Sequence, residues 1–250
     1  MAIYLGNSTG SYYVGSDPVG GMYMGDSVAW LPGVTDSLFF YLDASTSTIP
    51  YDLTLNSGTG SLNFNAVHTT LSGVPTFYFP DFTSNIEFAH TDSMNVDMPA
   101  TNFGASFWTQ KTSTSTNFEL LSKGSNYTFE YGGSSTISSM ELQAQSNAGA
   151  SSNITVALSS AGSVNTWYHY AYSVTYTGTQ YQFSLYRDGA FINTTSVSAT
   201  TYANFGTVTN TGNLKISSGR KEYIQYMKLF KKALTADEVA LEYNSTKDRF

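Results

Sequence analysis

Trp167-Tyr168-His169-Tyr170-Ala171-Tyr172-Ser173-Val174 is followed by Gln182-Phe183-Ser184-Leu185-Tyr186 and then by Arg187-Asp188-Gly189-Ala190. The first two runs are rich in aromatic and β-branched side chains, which suit a half-buried pleated surface. Asp-Gly between strand-like runs is among the strongest local hairpin signals, because a tight hairpin turn needs positive φ at its centre. The reading is an antiparallel hairpin. Working outward, similar short runs occupy residues 37–42, 76–79, 105–109 and 128–131, separated by Gly, Asn and Ser. They are too short for helices, and their recurrence between turn signals is that of an antiparallel sandwich or barrel. One helix is expected, near the C-terminus. There Thr235-Ala236-Asp237-Glu238 has the spacing of a capping box, with Val239, Leu241 and Tyr243 after it. It should form a short lid on the sheet edge.

The first thirty residues repeat with a period of about ten: Ile3-Tyr4-Leu5-Gly6-Asn7, Tyr12-Tyr13-Val14-Gly15-Ser16 and Met22-Tyr23-Met24-Gly25-Asp26. Each unit reads as a short apolar strand closed by Gly and a small polar residue that accepts turn geometry. Three such strands make a very small sheet, which needs cover from another subunit or protein. Pro32-Gly33 punctuates the end of this segment. Two regions follow: an N-terminal β-repeat segment, residues 1–33, for attachment or oligomerisation, and a sandwich over residues 34–250.

Composition agrees with one large β domain. The 250 residues are 41% hydrophobic and 15% aromatic but only 12% charged, which is a packed chain and not a disordered one. The first basic residue is Lys111, so residues 1–110 offer nothing to displace counterions from phosphates, and nucleic acid is not an expected partner. Most Lys and Arg fall between Lys215 and Arg249, interleaved with Glu222, Asp237, Glu238, Glu242 and Asp248; this reads as a solvated face. The absence of Cys excludes disulfides, thiolate metal sites and a cysteine nucleophile. The N-terminus lacks the pattern of a secretory signal, and no apolar run is long enough to span a bilayer. No membrane insertion is expected.

Taken in order, residues 38–250 resemble the concanavalin A-like lectin/glucanase superfamily, in the laminin-G-like branch common in bacteriophage structural proteins. The residues that carry this are Phe40-Tyr41-Leu42-Asp43-Ala44, Tyr51-Asp52-Leu53, Leu120-Leu121-Ser122-Lys123-Gly124, Asn165-Thr166-Trp167-Tyr168-His169, Leu185-Tyr186-Arg187-Asp188-Gly189 and Leu214-Lys215-Ile216. The most specific stretch is the last, Tyr223-Ile224-Gln225-Tyr226-Met227-Lys228-Leu229-Phe230 through Val239, closed by residues 243–250. The resemblance implies an all-β fold: an antiparallel two-sheet jelly-roll sandwich with one short C-terminal helix, preceded by a small repetitive β segment. Trp167, Tyr168 and the aromatics after them should fill the space between the sheets.

A glycosidase of this superfamily needs two carboxylates flanking the bond to be cut. Such enzymes present them as alternating acids on a single strand, and no strand here has that pattern. Asp237, Glu238 and Glu242 fall on the expected helix, in capping and solubilising roles. His68, His90 and His169 lack the paired spacings of zinc sites, and His169 reads as a core or edge residue. No Gly-x-Ser-x-Gly elbow appears. No catalytic, cofactor-binding or metal residue is therefore assigned, and no cofactor is expected. A structural calcium, for which Asp52 with Asn56, or Asp43, could supply oxygens, is set against the commoner turn-forming role of such residues.

The function these features imply is that of a non-enzymatic virion structural protein: a head fibre, capsid decoration or tail-fibre component. Residues 1–33 would contact other virion proteins, and the lectin-like sandwich would serve adhesion or particle stabilisation. The alternative is a carbohydrate-binding module that recognises a host-surface glycan. The protein would assemble in the host cytoplasm, as a homo-oligomer and by analogy with fibres a trimer.

Overall fold

The computed structural model describes residues 13–14, 17–18, 22–24, 27–30, 33–54, 56–81, 83–112, 118–124, 127–132, 137–145, 151–199, 211–217 and 221–250. Near the N-terminus, β1 (Tyr13–Val14) pairs with β2 (Asp17–Pro18), and β3 (Met22–Met24) pairs with β4 (Ser27–Trp30). The second and third sequence repeats thus each supply the first strand of a hairpin. Among the described residues these are two separate two-stranded sheets and not one three-stranded sheet. The first repeat, Ile3-Tyr4-Leu5, lies outside the described residues.

Among the described residues fifteen strands build the sandwich. In chain order they are β5 (Leu38–Asp43), β6 (Ser61–Asn63), β7 (Val67–Leu71), β8 (Val74–Phe79), β9 (Asn85–Phe88), β10 (Phe103–Lys111), β11 (Phe118–Lys123), β12 (Thr128–Gly132), β13 (Ile137–Gln145), β14 (Ser151–Gly162), β15 (Tyr168–Tyr176), β16 (Gln180–Arg187), β17 (Ala190–Ser198), β18 (Leu214–Ile216) and β19 (Glu222–Phe230). The larger sheet runs β17-β16-β15-β10-β19-β8-β7, and the smaller β14-β13-β12-β11-β18-β9-β6. Every pairing is antiparallel. Strand β19 is shared lengthwise: residues 222–224 pair with β8 and residues 226–230 with β5. Between these stretches the register against β10 shifts at Trp108/Thr109, and Gln225 is the extra residue of that bulge.

Asp188 and Gly189 form the expected two-residue hairpin turn between β16 and β17, with φ of 51° and 79°. The double positive φ is the geometry that made Asp-Gly informative. Inward-facing side chains of both sheets meet in one core, in which Phe129 of the smaller sheet stacks on Tyr172 of the larger at 4.1 Å between ring centroids. Phe103 stacks on Phe129 in turn, at 5.3 Å.

The alternation along β15 corrects one expectation. Tyr168, Tyr170 and Tyr172 face the core, but the period of two turns Trp167, His169 and Ala171 to the outer face of the larger sheet. The C-terminal helix also sits differently. A short helix α1 (Met98–Thr101), capped by Asp97, precedes β10, and α2 (Ala236–Asn244) follows β19. Helix α2 starts on the expected capping box, with Thr235 N–H donating to Glu238 Oε2 at 2.9 Å. Val239 then packs with Ala171, Tyr186, Phe230 and Leu234, so the helix lies on the outer face of the sheet and not merely at its edge.

Candidate functional site

The outer face of the larger sheet divides into a covered part and a part-exposed one. Under the C-terminal segment, Tyr41, Leu53, Trp108 and Tyr226 form a second small core, on which Phe250 stacks against Trp108 at 4.1 Å. Trp108 Nε1 donates to Thr246 Oγ1 at 2.7 Å.

Beyond Phe250 a row of side chains, most of them part-exposed, crosses the strands of the same face. Val67 lies opposite Tyr78, Tyr78 opposite Tyr223, and Tyr223 opposite Gln110. Extending the Thr109–Tyr168 pairing by one residue sets Trp167 beside Gln110. Directly opposed residues share a face, with strands about 4.8 Å apart, so the row forms a line perpendicular to the strands. Tyr78 and Tyr223 stack at 4.4 Å and 22° between ring planes, and Trp167 tilts against Phe250 at 4.9 Å. Val67 is 45% exposed, whereas Gln110 in the middle is 8% exposed. The amide oxygen of Gln110 is buried and accepts no hydrogen bond from the described residues. Buried polar oxygens are ordinarily partnered, and this one lies between two aromatic side chains.

The acids and histidines weighed in the sequence are bonded within the fold. Asp52 is fully buried and accepts from the backbone N–H groups of Tyr41, Thr54 and Ser57, each at 3.0 Å, and from the Thr54 and Ser57 hydroxyls. Asp43 accepts from Tyr41 Oη at 2.9 Å, Gln225 Nε2 at 3.0 Å and Arg249 at 2.7 Å. Burial alone would raise the Asp43 carboxyl, but Arg249 and Ser45 outweigh it and hold the group below the usual carboxylate range. Asn56 Nδ2 donates to the Phe39 carbonyl. Among the described residues no group of three or more His, Asp or Glu side chains is arranged to hold a metal.

His169 is fully buried on the outer side of the larger sheet, with Nε2 and Ser106 Oγ 2.8 Å apart, and burial lowers its pKa to about 3. His68 Nε2 contacts the Ala44 carbonyl, and His90 lies between Lys123 and Asp92.

Two expectations about charge are overturned. Glu242 is not a solubilising acid. Three residues after Val239, it shares the buried stripe of α2, and its carboxylate is 3.1 Å from Lys228 Nζ with both side chains fully buried. The basic C-terminal region is accordingly not a uniform solvated face, since Lys228 points from β19 into this contact.

A further arrangement was invisible within any single strand. Glu119, Glu130 and Glu141 lie directly opposite one another across β11, β12 and β13 on the smaller sheet. Burial first, and then repulsion from Glu141 and Glu119, raises the Glu130 carboxyl. Only the strand register shows this ladder.

The family model described as the concanavalin A-like lectin/glucanases superfamily, a laminin G type, matches residues 82–240. No curated protein matches the sequence. Among solved structures, the receptor-binding domain of botulinum neurotoxin type G aligns with a TM-score of 0.61 at 13% identity, over 84% of this chain and 51% of that one. The binding domain of Paraclostridial mosquitocidal protein 1 aligns with a TM-score of 0.62 at 15% identity, over 84% and 52%. The binding domain of botulinum neurotoxin DC in complex with SialylT gives 0.62 at 14%, with the same coverage. The chain thus spans about half the length of these structures, whose likeness is one of fold. With the family model covering most of the sandwich and the two antiparallel sheets in place, the chain belongs to the concanavalin A-like lectin/glucanases superfamily.

Proposed function

We propose that this protein is a non-enzymatic recognition module that binds a host-surface glycan along the row Tyr78-Tyr223-Gln110-Trp167, displayed on a virion through residues 1–33. The row carries the reading. Aromatic faces receive the apolar faces of sugar rings, and Tyr78, Tyr223 and Trp167 supply them in one line across the strands. The neighbouring folds described as receptor-binding domains support recognition as the role. Display on a particle, as head fibre, capsid decoration or tail-fibre component, is supported by the phage-like resemblance and by two small N-terminal hairpins that offer little core of their own.

The test is a glycan array followed by titration calorimetry of the best ligand. Binding that is weakened on replacing Tyr223 supports the row; an array with no binder, with calcium present and absent, counts against it. Light scattering of the full chain and of a chain starting at Thr35 tests the attachment role. Loss of oligomerisation on truncation is expected, and two unchanged masses with unchanged particle incorporation would refute it.

The glutamate ladder favours a second reading, glycoside hydrolysis, because it sets carboxylates side by side on a sheet face. Release of reducing sugar from a polysaccharide, abolished by Glu130→Gln, would replace the non-enzymatic reading.

A further inference from the structure

Helix α2 also meets the sheet through a polar contact made entirely away from water. Lys228 Nζ and Glu242 Oε1 are 3.1 Å apart, and both side chains are fully buried. The amine lies over the rings of Tyr41 and Tyr226, at 5.0 and 5.6 Å from their centroids. Val34 N–H donates to Glu242 Oε1, Tyr226 O–H donates to Glu242 Oε2, and Lys228 Nζ donates to the Val34 carbonyl at 3.3 Å.

We propose that Lys228 and Glu242 condense into an intramolecular isopeptide bond that ties α2 to β19. Lys228 Nζ attacks Glu242 Cδ. The Nζ–Cδ bond forms, the Cδ–Oε2 bond breaks, and Oε2 leaves as water with the acid's own proton and one proton from the amine. Nothing is oxidised or reduced, and no co-reactant is needed.

Three features support this over a permanent ion pair, with which the distance alone would agree. First, burial pushes the Lys228 amine well below its ordinary pKa and the Glu242 acid well above its own. Both shifts favour the uncharged forms, an amine that is nucleophilic and an acid that can be attacked, whereas two full charges here would carry a large desolvation cost. Second, the carboxyl is held for the reaction. Val34 N–H points at the oxygen that stays and stabilises the charge it gains in the tetrahedral intermediate, while Tyr226 O–H points at the oxygen that leaves. Two groups fixed in contact also react without the entropic cost of meeting. Third, the new amide finds a partner for each of its polar groups. The new amide carbonyl accepts from Val34 N–H and the new amide N–H donates to the Val34 carbonyl, so the cross-link pairs with one backbone residue and leaves no buried charge.

The proposal is independent of what the outer face binds. Its test is the mass of the intact, denatured full-length protein. The expected result is a chain lighter than its sequence by one water, with a tryptic digest giving a branched peptide that joins Lys228 to Glu242. K228R is expected to return the chain to its sequence mass, and so is E242A; the readout holds whether or not these variants are as stable as the parent. A parent protein at full sequence mass would overturn the proposal, and so would a water loss that persists in K228R.

Discussion

Replacing Asp52 with Ala removes a carboxylate that closes the loop over the second small core. Five donors converge on it, three of them backbone N–H groups. The loop it holds is a narrow one, with Tyr51 bridged to Thr59 and Asp52 N–H bonded to the Gly58 carbonyl at 2.9 Å. Leu53 then reaches down to Tyr41, Trp108 and Tyr226. In the variant the Thr54 and Ser57 groups, which lie nearer the surface, can turn to water. The amide of Tyr41 cannot, because that residue is 1% exposed. An orphaned buried donor costs about 1–3 kcal/mol, and a lost hydrogen bond to a charged acceptor is of similar size. The sum is on the order of 3 kcal/mol, which for a domain of this size lowers Tm by about 6–12 °C. Differential scanning calorimetry of the parent and Asp52→Ala proteins, each with calcium and with chelator, reads this directly. A fall of less than about 2 °C would refute the reasoning. A parent Tm that rises with calcium, while that of the variant does not, would return Asp52 to the role of a metal ligand.

Further outcomes follow from other contacts. Tyr223→Ala is expected to weaken glycan binding by roughly 2- to 12-fold, the equivalent of about 0.5–1.5 kcal/mol for one aromatic contact, with Tm little changed; calorimetry reads both. Gly104→Ala would place a methyl group 2.8 Å from the Lys232 carbonyl oxygen and 2.8 Å from Leu234 Cγ, and a loss of about 1–3 kcal/mol in urea unfolding is expected. Asp43 has a folded pKa below its ordinary value of 3.8. Its contribution to stability is therefore full above that ordinary value and is lost as pH falls through the lower folded value. Unfolding titrations across this acid range should show the slope, and Arg249→Met should move it to higher pH.

The strands were legible because period-two aromatic runs and Asp-Gly chemistry are local signals, and local geometry at Asp188-Gly189 obeys them. The capping box was legible for the same reason. Trp167 was assigned to the wrong face because a one-residue phase error inverts every side chain of a strand, and only pairing to β10 fixes the phase. Glu242 misled because helix acids are usually solvated, and nothing local shows that Lys228, fourteen residues earlier, rises from the sheet to meet it. The aromatic row and the glutamate ladder are perpendicular to the chain. The row joins strands far apart in sequence, and the ladder, though its strands are consecutive, depends on the register with which they pair.

The position of Val34 gives the sandwich a mechanical axis. Val34 is held at the Phe230 end of β19, and the chain enters β5 beside it, while the aromatic row lies at the Tyr223 end. Those ends are seven residues apart, about 24 Å of extended strand. A pull between residue 33 and a ligand on the row is directed along β5 and β19. The hydrogen bonds joining the two strands then resist in shear, all strained together, and do not open one at a time like a zip. Force would meet the Val34–Glu242–Lys228 clamp before it reached the sheet.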